Sequence, residues 1–253
     1  MKLLMFFNNS IILIYSIIIL LFIEIDQYES AKQLPCNNNT INKVDAIINK
    51  INPIGNPDHT FPETLPDAMK SCKQLLKPLT TLDDLNKRCM KGMMKEVVGI
   101  VLYSVKKKRR SMCKKSPTAE LRELTDSAKC INKGRSGVEK CANKSLDRFM
   151  AMKNVDNDLK IPLVCCEIGK TKKCMLDHLS TVDICTDHHK EVLVGHFNGL
   201  SGGALKLACN DYQDDSDKCH KLQSVKLNVR SGQNKYKSLV LAVIQLFESI
   251  DKN

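Results

Sequence analysis

Apolar positions recur with helical spacing through most of the chain. Ile41, Val44, Ile47, Ile48 and Ile51 share one helical face, and Pro53, Gly55 and Pro57 then break the pattern. A loop is expected to about Pro62. Leu65, Met69, Cys72 and Leu76 predict a helix over 65–76. Thr81 and Asp84 have the spacing of a capping box, in which a hydroxyl and a carboxylate three residues apart satisfy free amides at a helix start. From there the stripe Leu82, Leu85, Cys89, Met93, Val97 and Ile100 predicts one helix running to about Val105. Ser116-Pro117 opens another, with Leu121, Leu124, Ala128 and Ile131 on one face and Gly134 as its stop. Ser136 and Glu139 are placed to open the next. Period-2 runs are nearly absent, so strands are not expected. The pattern is that of an all-α chain.

The first residues need a different explanation. Lys2, then the apolar run Ile11–Ile23, then polar sequence has the form of a secretory signal peptide. The run is shorter than the roughly 20 residues a membrane helix needs. Cleavage is expected near Ala31, although no clean small-x-small site precedes it.

Every cysteine follows that leader: Cys36, Cys72, Cys89, Cys113, Cys130, Cys141, Cys165, Cys166, Cys174, Cys185, Cys209 and Cys219. An even number in a secreted chain implies a disulfide framework. Zinc would favour Cys-x-x-Cys pairs, which are absent. Asn38 and Asn143 begin N-glycosylation sequons in the mature region.

The cysteines also repeat. Intervals of 10, 23 and 8 residues separate Cys130, Cys141, Cys165 and Cys174; intervals of 10, 23 and 9 separate Cys174, Cys185, Cys209 and Cys219. The second copy is the first shifted by 44 residues. Cys89 and Cys113 repeat the long interval upstream. The apolar phase agrees: Val97/Val98, Phe149/Met150 and Leu193/Val194 stand at the same distance after Cys89, Cys141 and Cys185. Three related helical hairpins follow, each a long helix, a turn and a short helix ending at cysteine. Spacing alone leaves connectivity open. The simplest scheme bridges within each unit: Cys89–Cys113, Cys141–Cys165 and Cys185–Cys209, with the other six linking units. The expected fold is therefore a disulfide-stapled multi-helix domain made of repeated hairpins. Its regions are a signal peptide (1–31), an N-terminal helix and linker (32–62), a cysteine-rich helical domain (63–222), and a linker with a C-terminal apolar helix (223–253).

The segments AKCINKG, IPLVCCEIGKTKKC, VDICTDHH and LACNDYQDDSDKC, with the final KYKSLVLAVIQLF, carry a resemblance. Over roughly 70–222 the chain resembles a group of secreted, cysteine-rich helical proteins of mites, ticks and spiders. More distantly it is similar to the twenty-seven-kilodalton haemolymph glycoproteins of insects. The resemblance implies an extracellular, disulfide-bonded helical protein of an arthropod fluid or secretion, and brings no catalytic residues. The C-terminus departs from the insect proteins, since no cysteine follows Cys219.

Charge and local motifs supply the candidate chemistry. The formal charge is +11, and losing Lys2, Glu24, Asp26 and Glu29 with the leader raises it to +13. Such a chain adheres to anionic glycans or membrane surfaces. With no tryptophan and few aromatics, nucleic acid is not an expected partner. Lys106, Lys107, Lys108, Arg109 and Arg110 form the densest basic run, either an anion-binding patch or a solvated helix end.

Gly199-Leu200-Ser201-Gly202-Gly203 matches the nucleophile elbow of serine hydrolases, and Asp211, Asp214, Asp215, Asp217 and His220 follow in the required order. The elbow needs a parallel sheet that the helical pattern does not supply. Shifted back 44 residues it falls on Val155–Leu159, the turn of the preceding hairpin, so it is expected to be a turn as well.

The Cys165-Cys166 pair is similar to that of secreted phospholipases A2, but Glu167, Ile168, Gly169 and Lys170 stand where His-Asp should follow. Cys185-Thr-Asp-His188-His189 places His189 where the aspartate belongs. Asp187, His188, His189, Glu191 and His196 are close enough for a metal but lack an i, i+4 histidine pair. A polar helix start explains them better. Asp211–Asp217 lacks EF-hand spacing.

Ser238–Phe247, the most apolar stretch of the mature chain, is too short to span a bilayer. It is either a docked core helix or the cover of a lipid pocket. No cofactor is expected. The function expected is a secreted, non-catalytic glycoprotein, with carriage of a hydrophobic ligand foremost and adhesion to anionic surfaces next.

Overall fold

The computed structural model describes residues 36, 38–51, 60–201, 203–212, 216–222, 225–229 and 238–250. The leader expected at 1–31 lies outside them, as does much of the linker before the last helix. Residues 1–40 and 41–253 cluster as separate units.

The helices are α1 (Asn38–Ile51), α2 (Leu65–Gln74), α3 (Leu76–Cys89), α4 (Gly92–Met112), α5 (Ala119–Lys133), α6 (Arg135–Ala151), α7 (Asn157–Leu179), α8 (Asp187–Ser201), α9 (Gly203–Cys209), α10 (Asp217–Lys221) and α11 (Leu239–Glu248). A 3-10 turn, Met152–Asn154, follows α6. No strand occurs among the described residues. The all-α, disulfide-stapled class read from the sequence is what the molecule has.

Local chemistry fixes most boundaries. Thr64 caps α2 by accepting from the Asp67 amide at 3.3 Å, and Pro66 sits in the first turn, where its missing N–H costs nothing. Thr118 caps α5 by accepting from the Leu121 amide at 3.2 Å, two residues beyond the Ser116-Pro117 start read from sequence.

Two expectations fail between α2 and α4. Thr81 opens no helix: it lies inside α3, its hydroxyl donating to the Lys77 carbonyl at 3.0 Å, while Asp84 holds Arg88 at 2.5 Å. The stripe over 82–105 is also two helices. Met90 is extended and Gly92 has φ of 54°, a left-handed backbone that a glycine adopts without a Cβ clash. The chain reverses there, so α3 and α4 pack side by side, tied by Lys106 to Asp83 at 2.9 Å and by the Asn86 side-chain amide to the Lys95 carbonyl at 3.2 Å.

Gly134 ends α5 and precedes α6 directly, so Ser136 is not a helix cap. Its φ of −83° is ordinary; the lack of a side chain is what matters. A Cβ there would lie 2.6 Å from the buried Leu179 side chain, so the α5–α6 corner closes onto the end of α7 only with glycine in place. Cys130, Ile131, Val138, Leu179 and Leu193 form the core around this corner, joining α5, α6, α7 and α8. The matching repeat positions Phe149 and Leu193 are both buried.

The bridges do not follow the within-hairpin scheme. Cys113 pairs with Cys72, Cys141 with Cys174, Cys165 with Cys209, Cys185 with Cys130 and Cys166 with Cys219. Cys36 and Cys89 are disulfide-bonded as well, and no cysteine is free. The reason lies in α7, which does not stop at Cys165 but runs on to Leu179, carrying Cys165, Cys166 and Cys174 on one rod. The 44-residue repeat survives in another form. The first cysteine of copy one (Cys130) joins the second of copy two (Cys185), and the second of copy one (Cys141) joins the first of copy two (Cys174). The third positions, Cys165 and Cys209, join each other. The copies are tied reciprocally, as in a two-fold arrangement.

Candidate functional site

Ser201 is the last residue of α8, and Val192–Val194 before it are helical rather than extended. The strand on which an elbow depends is therefore absent here. Gly199 lies in the last turn of α8 and Gly203 opens α9, so the expected turn over 199–203 is helical on both sides of residue 202, which lies outside the described residues. Asp211, a candidate acid, is held by Lys218 at 3.0 Å; Asp214 and Asp215 lie outside the described residues. His220 lies exposed on α10.

The histidines of α8 are separated by use. Thr186 and His189 form a reciprocal cap: the His189 amide donates to the Thr186 hydroxyl at 3.2 Å, and the Thr186 amide donates to His189 Nδ1 at 3.3 Å. His189 Nε2 lies 3.4 Å from Asp126 of α5. Asp187 pairs with Lys190 at 2.7 Å, a bond that holds its carboxyl below the usual carboxylate range. His188 and Glu191 are exposed. No group of three His, Cys, Asp or Glu side chains among the described residues is arranged to hold a metal ion.

His196, two turns further along nearly the same face as His189, is partly buried near the Lys108–Glu120 ion pair, and its Nδ1 is buried with no partner among the described residues. Burial, reinforced by Lys108, pushes its imidazole down to about 4, so it stays neutral at physiological pH. Lys108 reaches this pair by lying across Gly199, where a Cβ would sit 3.0 Å from its ammonium.

The basic run is largely occupied. Lys106 is bound to Asp83, Lys108 to Glu120, and Arg109 donates to the Cys72 carbonyl at 3.0 Å. Lys107 and Arg110 alone of the five are exposed. Three of the five proposed anion-binding residues thus serve α4 packing.

The vicinal cysteines act as a double anchor. Neighbours on a helix point about 100° apart, so Cys165 holds α9 while Cys166 holds α10. Beside them, a polar network that the sequence did not disclose joins α6 to α7. Glu167, with 5% of its side chain exposed, accepts from Arg148 at 2.5 Å and from the Ser145 hydroxyl at 3.1 Å. Ser145 also bonds Thr171, whose hydroxyl donates to the Glu167 carbonyl at 2.7 Å. The 167/171 spacing, one helical turn on the cysteine-bearing face, was the available signal. Ser145 is also the sequon residue for Asn143; its burial in this network explains it without a glycan. Asn143 itself is exposed, and Asn38 begins α1.

The C-terminal helix covers the core. Leu241, Ala242, Leu246 and Phe247 are buried, and α11 packs on α4, α6 and α7. Its ends are held by polar bonds. Ser238 caps it and donates its amide to the buried Asp45 of α1 at 3.0 Å. Lys160 of α7, with 2% exposure, donates to the Ser249 hydroxyl at 2.9 Å. No described helix is long and apolar enough to cross a membrane.

No protein-family model, curated protein or solved structure matches this chain.

Proposed function

We propose that this protein is a secreted, non-catalytic extracellular glycoprotein that carries a hydrophobic ligand, of the arthropod fluid-protein kind its cysteine ladder resembles. One observation carries this reading. The most apolar helix, α11, seals the core formed with α4, α6 and α7, yet it carries no cysteine of its own to tie it down. Most of the other helices are cross-linked. A cover held by packing and by bonds at Asp45 and Lys160 can lift from a rigid frame, exposing apolar surface on both parts. Full oxidation of the cysteines supports an oxidising, extracellular compartment.

The test is organic extraction of native protein from its secretory source, followed by mass spectrometry. One apolar small molecule near stoichiometric amount is the expected result. An empty extract, together with no uptake of a fluorescent fatty acid by the delipidated protein, would overturn the carrier function.

A further inference from the structure

A second basic surface lies on α6 and α7, on residues distinct from the basic run on α4. Cys141–Cys174, with Cα atoms 5.9 Å apart, and the Ser145–Glu167 bond fix the register of the antiparallel α6–α7 pair. Relative to the bridge, Lys140 and Lys144 stand at positions −1 and +3 on α6. Lys170 and Lys173 stand at −4 and −1 on α7. At about 100° per residue, with the helices running in opposite directions, all four offsets project to the same side of the pair. That side is opposite the Ser145–Thr171 contact. All four lysines are exposed.

Lys140, Lys144 and Lys170 make no ion pair with any described residue, while Lys173 is 3.3 Å from Asp177. Of the acidic residues of α6 and α7, Asp177 and Asp147 project to this side, and Asp147 has one oxygen buried. Lys140 and Lys144 are one turn apart, about 6 Å along α6. Helices pack about 8–10 Å apart, so the ammonium groups form a compact square rather than a line along one helix.

We propose that this face of the α6–α7 hairpin docks a sulfated polysaccharide. The choice of partner follows from what surrounds the lysines. None of the exposed large apolar residues, Leu76, Ile100, Tyr103, Ile184, Val229 and Val240, lies on α6 or α7, so no wedge is present to enter a bilayer. The single aromatic of these two helices, Phe149, is buried, so no platform for stacking bases is offered. Lysines are point charges suited to scattered sulfates rather than to bidentate recognition. A hydrophilic polyanion of the extracellular space meets all three conditions. The proposal rests on the extracellular location proposed above, not on the carried ligand.

The test uses the full, disulfide-intact chain and heparin. Replacing Lys140, Lys144, Lys170 and Lys173 by Gln is expected to weaken binding at physiological salt by about tenfold to a hundredfold, and to flatten its salt dependence. A matched variant with Gln at Lys107, Arg110, Lys114 and Lys115, all exposed, is expected to bind within about twofold of the unaltered protein, because charge count alone is not what binds. Far-ultraviolet circular dichroism of both variants controls for folding. Equal loss in the two variants, no heparin binding, or tighter binding to phosphatidylserine vesicles or to DNA at the same salt would each overturn the proposal. An empty organic extract would leave it standing.

Discussion

Removing the Cys130–Cys185 bridge by a double alanine substitution is expected to destabilise the fold by about 4 kcal/mol. The bridge spans 55 residues, but Cys141–Cys174 stays closed inside that span, so cutting it frees a loop of about 24 residues in the unfolded chain, an entropy gain of about 3 kcal/mol that weighs against folding. The site also sits in the core: Cys130 is fully buried among Ala128, Ile131, Val138, Leu179 and Leu193. Lost packing adds to the entropic effect rather than offsetting it. Urea unfolding without reductant, compared at equal slope, measures the change. A loss below about 1 kcal/mol would mean that Cys130 and Cys185 do not close that loop.

The second large effect is at Arg148. Replacing it by Met leaves Glu167 buried with its charge uncompensated, and a stranded buried charge costs about 3 kcal/mol or more. Arg148 is itself 30% exposed in its side chain, which places the expected loss at the lower end, about 3 kcal/mol. The discriminating variant is the double one. Adding Glu167→Gln to Arg148→Met removes the stranded charge while keeping an acceptor for Ser145, so the pair is expected to cost less than Arg148→Met alone. Thermal unfolding of both singles and the double gives the coupling directly. Additive losses would show that Arg148 and Glu167 act independently and that the short contact between them does not stabilise the fold.

Several parts of this architecture were legible from residue spacing. The apolar stripe Leu121–Ile131 became α5 and that of Leu65–Cys72 became α2, because each buries one face against a neighbour; Leu76, read as part of the same stripe, instead opens α3 and is exposed. The α3–α4 break was not legible, since the stripe runs through Cys89 and Met93 without losing phase. The extended Met90 and Lys91, followed by Gly92 in a left-handed conformation that L side chains rarely adopt, reverse the chain there. The cysteine ladder revealed the repeat but not the partners, because spacing along the chain does not say which faces meet. What decided them was α7 continuing past Cys165 and Cys166. Glu167 and Thr171 stand within a lysine-rich run whose spacing does not mark them as buried; their burial against Ser145 and Arg148 depends on the preceding helix. The same holds at 106–110, read as an anion-binding patch or a solvated helix end, where three of the five side chains are bound within the fold.

The two cysteine repeats are cross-linked reciprocally. Digesting the unreduced protein with trypsin and then with a protease that cuts before aspartate tests it directly. The expected disulfide-linked products are residues 141–144 joined to 174–176, and residues 130–133 joined to 183–186. Recovery of 141–144 joined to 161–170 would contradict it, because Cys141 would then close its own hairpin instead of binding the copies together.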